Sequence, residues 1–198
     1  MPNWCEQIAH FSHPDKEVID KIKEAIKNES LMEYTIPSPK DWESLDLHKE
    51  NISDADKLQS ELEARAKRNL ERFGFKSIID WQYSVRGTKW DIIEGNIIYK
   101  QKRNNKYYLK ASFQTAWGAP FETFIALQEK HPELHVKVYY HEPLMAFCGK
   151  YENKKVSHYQ IEKETIADIP LEIKKAFSFD NEFFDQLFWD PEEKKEQQ

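Results

Sequence analysis

The sequence predicts an α+β protein, with a mainly antiparallel sheet and helices on one of its faces. Two observations predict this. Strand-like segments arrive as pairs around short turns that carry asparagine, and such pairs close as hairpins. Helical segments fall between those hairpins rather than following each strand in turn. The material suffices for one core: 198 residues, 39 % hydrophobic and 14 % aromatic, a length that needs no staples and an aromatic load that argues against disorder.

Residues 4–11 are expected to form a first strand. His13-Pro14-Asp15 follows as a turn with Asp15 as N-cap, because its carboxylate can accept from the first helical N–H groups. Val18, Ile19, Ile22, Ala25 and Ile26 recur at helical spacing and define one apolar face. Residues 31–36 alternate weakly and are read as a strand stopped by Pro37 and Pro39. Residues 40–53 are polar and irregular. A second helix begins near Ser53 or Asp54, carries Leu58, Leu62, Ala66, Leu70 and Phe73 as its buried stripe, and ends at Gly74. Residues 77–94 are aromatic-rich and are left without a helix. Residues 97–101 and 107–113 are two strands around Arg103-Asn104-Asn105-Lys106, since Asn tolerates the left-handed region that a tight turn needs.

Residues 121–130 form a short amphipathic helix with Pro120 at its start. Leu134, Val136, Val138 and Tyr140 alternate as a strand. Residues 145–151 and 155–161 make a further hairpin around Asn153-Lys154. Residues 170–177 are a helix, and Phe183, Phe184, Leu187, Phe188 and Trp189 an apolar cluster ahead of a charged, frayed end. The order is β-α-β, a helical insertion, then β-β-α-β-β-β. A ferredoxin-like split βαβ arrangement fits that order. The expected domain is residues 1–161 with the insertion near 40–95, followed by an acidic, Phe-rich extension at 162–198.

Composition excludes several function classes. No run of eighteen apolar residues is present, and the first residues have neither a basic nor an apolar signal region, so a cytoplasmic protein is expected. Five glycines against six tryptophans leave little room for phosphate-cradling loops, and neither GxGxxG nor GxxxxGK[ST] occurs. Cys5 and Cys148 are too few for a cluster or a four-cysteine zinc site and are read as reduced structural thiols. No cofactor is expected. The net charge is −6, and residues 162–198 hold eleven acids and five lysines, which leaves 24 acids against 24 bases in the rest. The acidic character thus belongs to the C-terminal segment. Residues 96–121 carry Lys100, Lys102, Arg103, Lys106 and Lys110 and no acid.

Several segments also resemble a known family. They are Asn3-Trp4-Cys5, the proline pair in Ile36-Pro37-Ser38-Pro39, Gly87-Thr88-Lys89-Trp90-Asp91, Phe113-Gln114-Thr115-Ala116-Trp117-Gly118-Ala119-Pro120, Tyr140-His141-Glu142-Pro143 and Phe147-Cys148-Gly149. In this order they resemble the YubB-like proteins of plasmids and phages, over about residues 3–150. Arg86 departs from the pattern, which has Trp before the glycine. The resemblance implies a ferredoxin-like domain and a mobile-element setting; it brings no activity with it.

Four constellations are candidates for function. Trp4, Trp81, Trp90 and Trp117 with Lys89, Asp91, Thr115 and Glu142 form either a ligand or partner cleft or a core whose indoles meet buried acceptors. Tyr99, Lys100, Lys102, Arg103, Lys106, Tyr107, Tyr108 and Lys110 offer cations for phosphates and rings for bases, or else a solvated hairpin. His131 and His135 have metal-ligand spacing, but Pro132 breaks any helix that would present both rings, so no metal site is expected. His141 with Cys148 would be the one thiol–imidazole pair, and no nucleophile motif surrounds Cys148. The Phe-rich acidic segment either packs back on the sheet or presents an interaction surface. The leading expectation is a non-enzymatic binding protein acting on a host or phage macromolecule, with a host or phage protein as partner and no membrane, in the manner of an antagonist of a host defence or nuclease complex. DNA or RNA binding through residues 99–110 and a small-molecule or nucleotide enzyme with a Trp-lined cleft are the alternatives.

Overall fold

The computed structural model describes residues 3–45, 55–180, 183, 184 and 187. The helix start at Ser53 or Asp54, the two rings Phe188 and Trp189, and the charged end at 190–198 lie outside them.

Strand β1 (Trp4–His13) sets the frame. Helix α1 (Lys16–Lys27) follows, its N-terminus capped by Asp15, whose carboxylate accepts from Glu17 N at 2.8 Å. Its buried residues are Val18, Ile19, Ile22, Ala25 and Ile26, the predicted face. Next come α2 (Leu31–Thr35), α3 (Ala55–Phe73) and α4 (Ile78–Arg86). Strands β2 (Ile93–Arg103) and β3 (Lys106–Ala116) form a hairpin, α5 (Phe121–Lys130) crosses over, and β4 (His135–Glu142), β5 (Phe147–Glu152) and β6 (Lys155–Gln160) complete the sheet. One 3-10 turn (Ile166–Asp168) and α6 (Leu171–Ala176) end the described elements apart from isolated positions.

The sheet order is β2-β3-β1-β4-β5-β6, and every neighbouring pair is antiparallel. Strands β1 and β2 therefore run parallel with β3 between them, and β3 and β4 run parallel with β1 between them. These are two interlocked split βαβ units, the ferredoxin-like topology, with α1 and α5 as the crossovers. The β5–β6 hairpin widens the sheet beyond β4. The two-residue turns of the β2–β3 and β5–β6 hairpins use left-handed residues, Asn104 and Asn105 (φ 47 and 58) and Asn153 and Lys154 (φ 47 and 67), as such turns require.

Alternation on β1 divides the molecule. Cys5, Ala9 and Phe11 join Ile19, Ile22, Phe124, Leu127, Val136, Val138 and Tyr140 in the core beneath α1 and α5. On the other face Tyr139 and Cys148 are covered by Ile161, Ile169, Ile173, Phe179 and Phe184. The C-terminal segment thus packs back on β4 and β5 and, among the described residues, leaves most of the β2-β3-β1 half of that face uncovered.

Three sequence expectations are corrected. Residues 31–36 are not a strand. Asp91, sixty residues on, accepts from Met32 N (3.0 Å) and Glu33 N (2.8 Å) and closes the open N-terminus of α2, while Thr35 Oγ1 donates to Leu31 O. Residues 77–94 do contain a helix, α4, capped by Ser77 and ended by the left-handed Gly87 (φ 81). The apolar stripe of α3 is not a core face: Leu70 is exposed and Asn69 is its one buried residue. Asn69 instead holds residues 41–45, donating to Glu43 O and accepting from Glu43 N, and Arg68 forks onto the Glu43 carboxylate. Buried Arg86 ties α4 to α2 by donating to Glu33, Ile36 O and Ser38.

Asp91→Ala is expected to lower stability by roughly 1–2 kcal/mol, the scale of a lost N-terminal cap, and Asp91→Asn by less. Urea unfolding of the three proteins checks this; an unchanged midpoint for Asp91→Ala would contradict the capping role.

Candidate functional site

Three of the aromatic landmarks, Trp4, Trp90 and Trp117, gather at one end of the sheet. Trp4 and Trp90 lie 6.2 Å apart, with Lys89 Nζ 4.5 Å over the Trp90 ring. Trp4 pairs with Ala116, so Trp117 follows beside it, at φ 70, its N–H donating to Asn3 O. Trp117 is 45 % exposed, and Leu144 and Met145 in the β4–β5 turn are 76 % and 57 % exposed. Trp81 stands apart, buried under the Arg86 guanidinium at 5.0 Å.

The polar members of the predicted cleft serve the backbone. Asp91 caps α2 and also accepts from its neighbour Ile92 N. Buried Glu142 accepts from Leu144 N (3.2 Å) and Met145 N and fixes the β4–β5 turn. Thr115 Oγ1 donates to Gly118 O and accepts from Gln7 Nε2. Ile93 and His141 stand in one cross-strand row, three strand spacings apart, or about 14 Å. Asp91 and Glu142 thus belong to opposite sides of the β2–β4 span, and each turns to its own local donors. Lys89 in turn lies over the Trp90 ring.

Cys5 and Cys148 are free and buried on opposite faces of the sheet. Cys148 and His141 are cross-strand partners on one face, yet burial holds them uncharged. It pushes the Cys148 thiol up to about 11 and the His141 ring down to about 4. Burial, then the Glu142 carboxylate, raises Cys5 further. His141 is boxed by Phe177 at 5.4 Å and Phe179 at 4.8 Å. His131 closes α5 and meets Tyr34 Oη at 3.0 Å, whereas His135 starts β4 and faces Glu152 at 3.5 Å. The two rings therefore serve different contacts.

The basic hairpin divides by face. Lys100 and Lys102 pair with Leu109 and Tyr107 and lie on the helix side, where Lys100 meets Asp20 of α1 and Lys102 sits 5.3 Å over the Tyr107 ring. Tyr99 pairs with Lys110, Gln101 with Tyr108 and Arg103 with Lys106. Tyr99, Arg103, Lys106, Tyr108 and Lys110 therefore share the uncovered face. Register extends them into rows. Tyr99, Lys110, His10 and Lys137 form one, and Gln101, Tyr108, Ser12 and His135 another. Lys137 Nζ lies 5.4 Å over Tyr139, which meets His10 edge-on at 6.0 Å. Burial, then Lys110 and Lys137, lowers the His10 ring to about 4. Sequence reasoning missed His10 and Lys137 because only non-local strand pairing brings them to the hairpin.

Residues 97–180 match a family model described as a ferredoxin-like domain in Api92-like protein. The match runs from β2 through α6 and so includes most of the uncovered face. The chain is also similar to a crystal structure of a protein api92 from Yersinia pseudotuberculosis, at 12 % identity, over 82 % of this chain and 99 % of that one, with a TM-score of 0.39. No curated protein matches the chain.

Two outcomes follow from the buried titratable groups. In the folded protein at pH 8 both thiols should resist an aromatic disulfide reagent and react quickly only in urea; rapid native labelling would contradict their burial. His10 and His141 have folded values below the ordinary 6.5, so the unfolded chain binds protons first as pH falls. Stability should drop as pH falls from about 6.5 toward 4 and level below, apart from carboxylate effects. His141→Gln should flatten part of that slope in urea titrations, and an unchanged slope would contradict it.

Proposed function

We propose that this chain is a non-enzymatic binding protein and that the uncovered half of its sheet takes single-stranded nucleic acid. The observation that carries the reading is the make-up of that half-face. Tyr99 and Tyr108 offer ring faces, Arg103, Lys106 and Lys110 surround them with positive charge, and Lys137 of the adjoining β4 adds to it. The row through Tyr99, Lys110, His10 and Lys137 meets its first carboxylate, Glu152, on β5. Single strands bind where rings stack on bases and cations follow the phosphates. Burial does most to disfavour a proton on His10, and the charge of Lys110 and Lys137, which adds to it, is what an anionic backbone would meet. Against an enzyme stands the use of Asp91 and Glu142, both occupied by backbone N–H groups.

A second reading, a protein partner, is favoured by the exposure of four large apolar side chains, Trp90, Trp117, Leu144 and Met145, since exposed apolar surface is what interaction sites use. A host or phage protein as that partner, the mobile-element setting of the YubB-like resemblance, a cytoplasmic site of action and a role against a host defence or nuclease complex belong to this second reading.

Binding of single-stranded DNA and RNA at two salt concentrations separates the two. Lys110→Glu and Lys137→Glu should weaken binding across sequences and reduce the salt slope by about one each. Tyr99→Ala and Tyr108→Ala should each cost about 1–3 kcal/mol, while Lys102→Gln on the helix side should change little. A chain with no affinity for either polymer at low salt would remove the nucleic-acid reading.

A further inference from the structure

Next to the Tyr99–Lys110–His10 row the uncovered face sinks into a groove of about 350 Å³ between the sheet and the end of α6. That volume lies within the range of small-ligand pockets. Ile8 contributes an apolar patch from the sheet and Phe177 a ring from the C-terminal segment; Glu6, Glu94, Asn96 and Gln114 bring polar groups.

Local structure fixes Glu94 there. The register between β2 and β3 slips between Ile93 and Asn96. Within this bulge Glu94 adopts φ 53, and its N–H donates to the Glu29 carboxylate at 2.8 Å. Gly95 packs against the Ile26 carbonyl, where any Cβ would collide. A bulge of this kind re-aims a side chain. Gln114 Nε2 then holds one Glu94 oxygen at 2.8 Å.

We infer that this groove is a base-reading pocket that selects guanine from a single strand lying on the uncovered face. The inference rests on the nucleic-acid reading above and deepens it. Successive rows on one sheet face are two residues apart, about 6.8 Å. A strand whose bases stack on Tyr108 and Tyr99 therefore brings a following base to the row of Asn96, Ser112 and Ile8, which lines the groove. Phe177 and Ile8 suit the faces of a base, and the edge then meets acceptors. Glu6 lies 3.7 Å from His141 Nδ1, whose ring is uncharged at neutral pH because burial lowers it to about 4. The Glu6 carboxylate is thus not neutralised by that neighbour. Guanine presents N1–H and an N2 amino group side by side, a match for the two oxygens of one carboxylate. Adenine and cytosine set their amino group beside a ring acceptor, which a carboxylate repels. Thymine has one N–H between two carbonyls.

The test is an anisotropy titration of the full chain with single-stranded oligothymidylates carrying one central guanine, hypoxanthine or adenine. The guanine strand should bind roughly tenfold or more above the adenine strand, with hypoxanthine, which lacks the N2 amino group, between them. The double variant Glu6→Gln with Glu94→Gln should abolish that preference without weakening the all-thymine strand, and Glu6→Gln alone carries the same test if the double variant fails to fold. Equal binding of all three strands, or a preference that survives both glutamines, would overturn the pocket and leave the face reading in place. No binding of any strand at low salt would overturn the face reading, and the pocket with it.

Discussion

The structure depends on the pairing of β1 along both edges. Trp4–His13 is matched residue by residue to β3, and Glu6–Ser12 to β4. A slip by one residue would carry Cys5, Ala9 and Phe11 out of the core and Glu6, Ile8 and His10 into it. Neither flanking strand can shift without breaking that match, so the faces of β3 and β4 are fixed as well. The core beneath α1 and α5 and the composition of the opposite face are two consequences of one alternation.

That opposite face is shared. The C-terminal segment covers its β4–β5 side with Ile169, Ile173 and Phe179 and fastens there through Glu172, which accepts from Tyr139 Oη at 2.8 Å and pairs with Lys150 at 2.6 Å. Cover on this side accounts for the heavy phenylalanine content of the segment: the rings of Phe177, Phe179, Phe183 and Phe184 pack on one another and on buried His141. The β2-β3-β1 side keeps its tyrosines and lysines in solvent.

What was legible in the sequence was whatever is local. The face of α1 and its Asp15 cap are written in consecutive residues, as are the alternation of β4 and the two Asn-bearing turns. Residues 31–36 misled because their helix is closed by a carboxylate at Asp91, which no local pattern shows. Helix α4 was missed because it presents a buried Arg86 where an apolar residue would mark a face. The tryptophan landmarks were visible, but the roles of Asp91 and Glu142 depend on which backbone N–H groups they reach. His10, Lys137 and the groove at Glu94 were invisible because strand order and a bulge assemble them.

The central claim is that the uncovered β2-β3-β1 face is where this protein binds. Amide chemical-shift mapping during titration with a single-stranded oligonucleotide tests it most directly. The account predicts shifts concentrated at Tyr99, Tyr108, Lys110 and His10, with Leu144, Met145 and α1 undisturbed. Shifts centred on the Trp90–Trp117 rim or on the helices, with the sheet face silent, would contradict it.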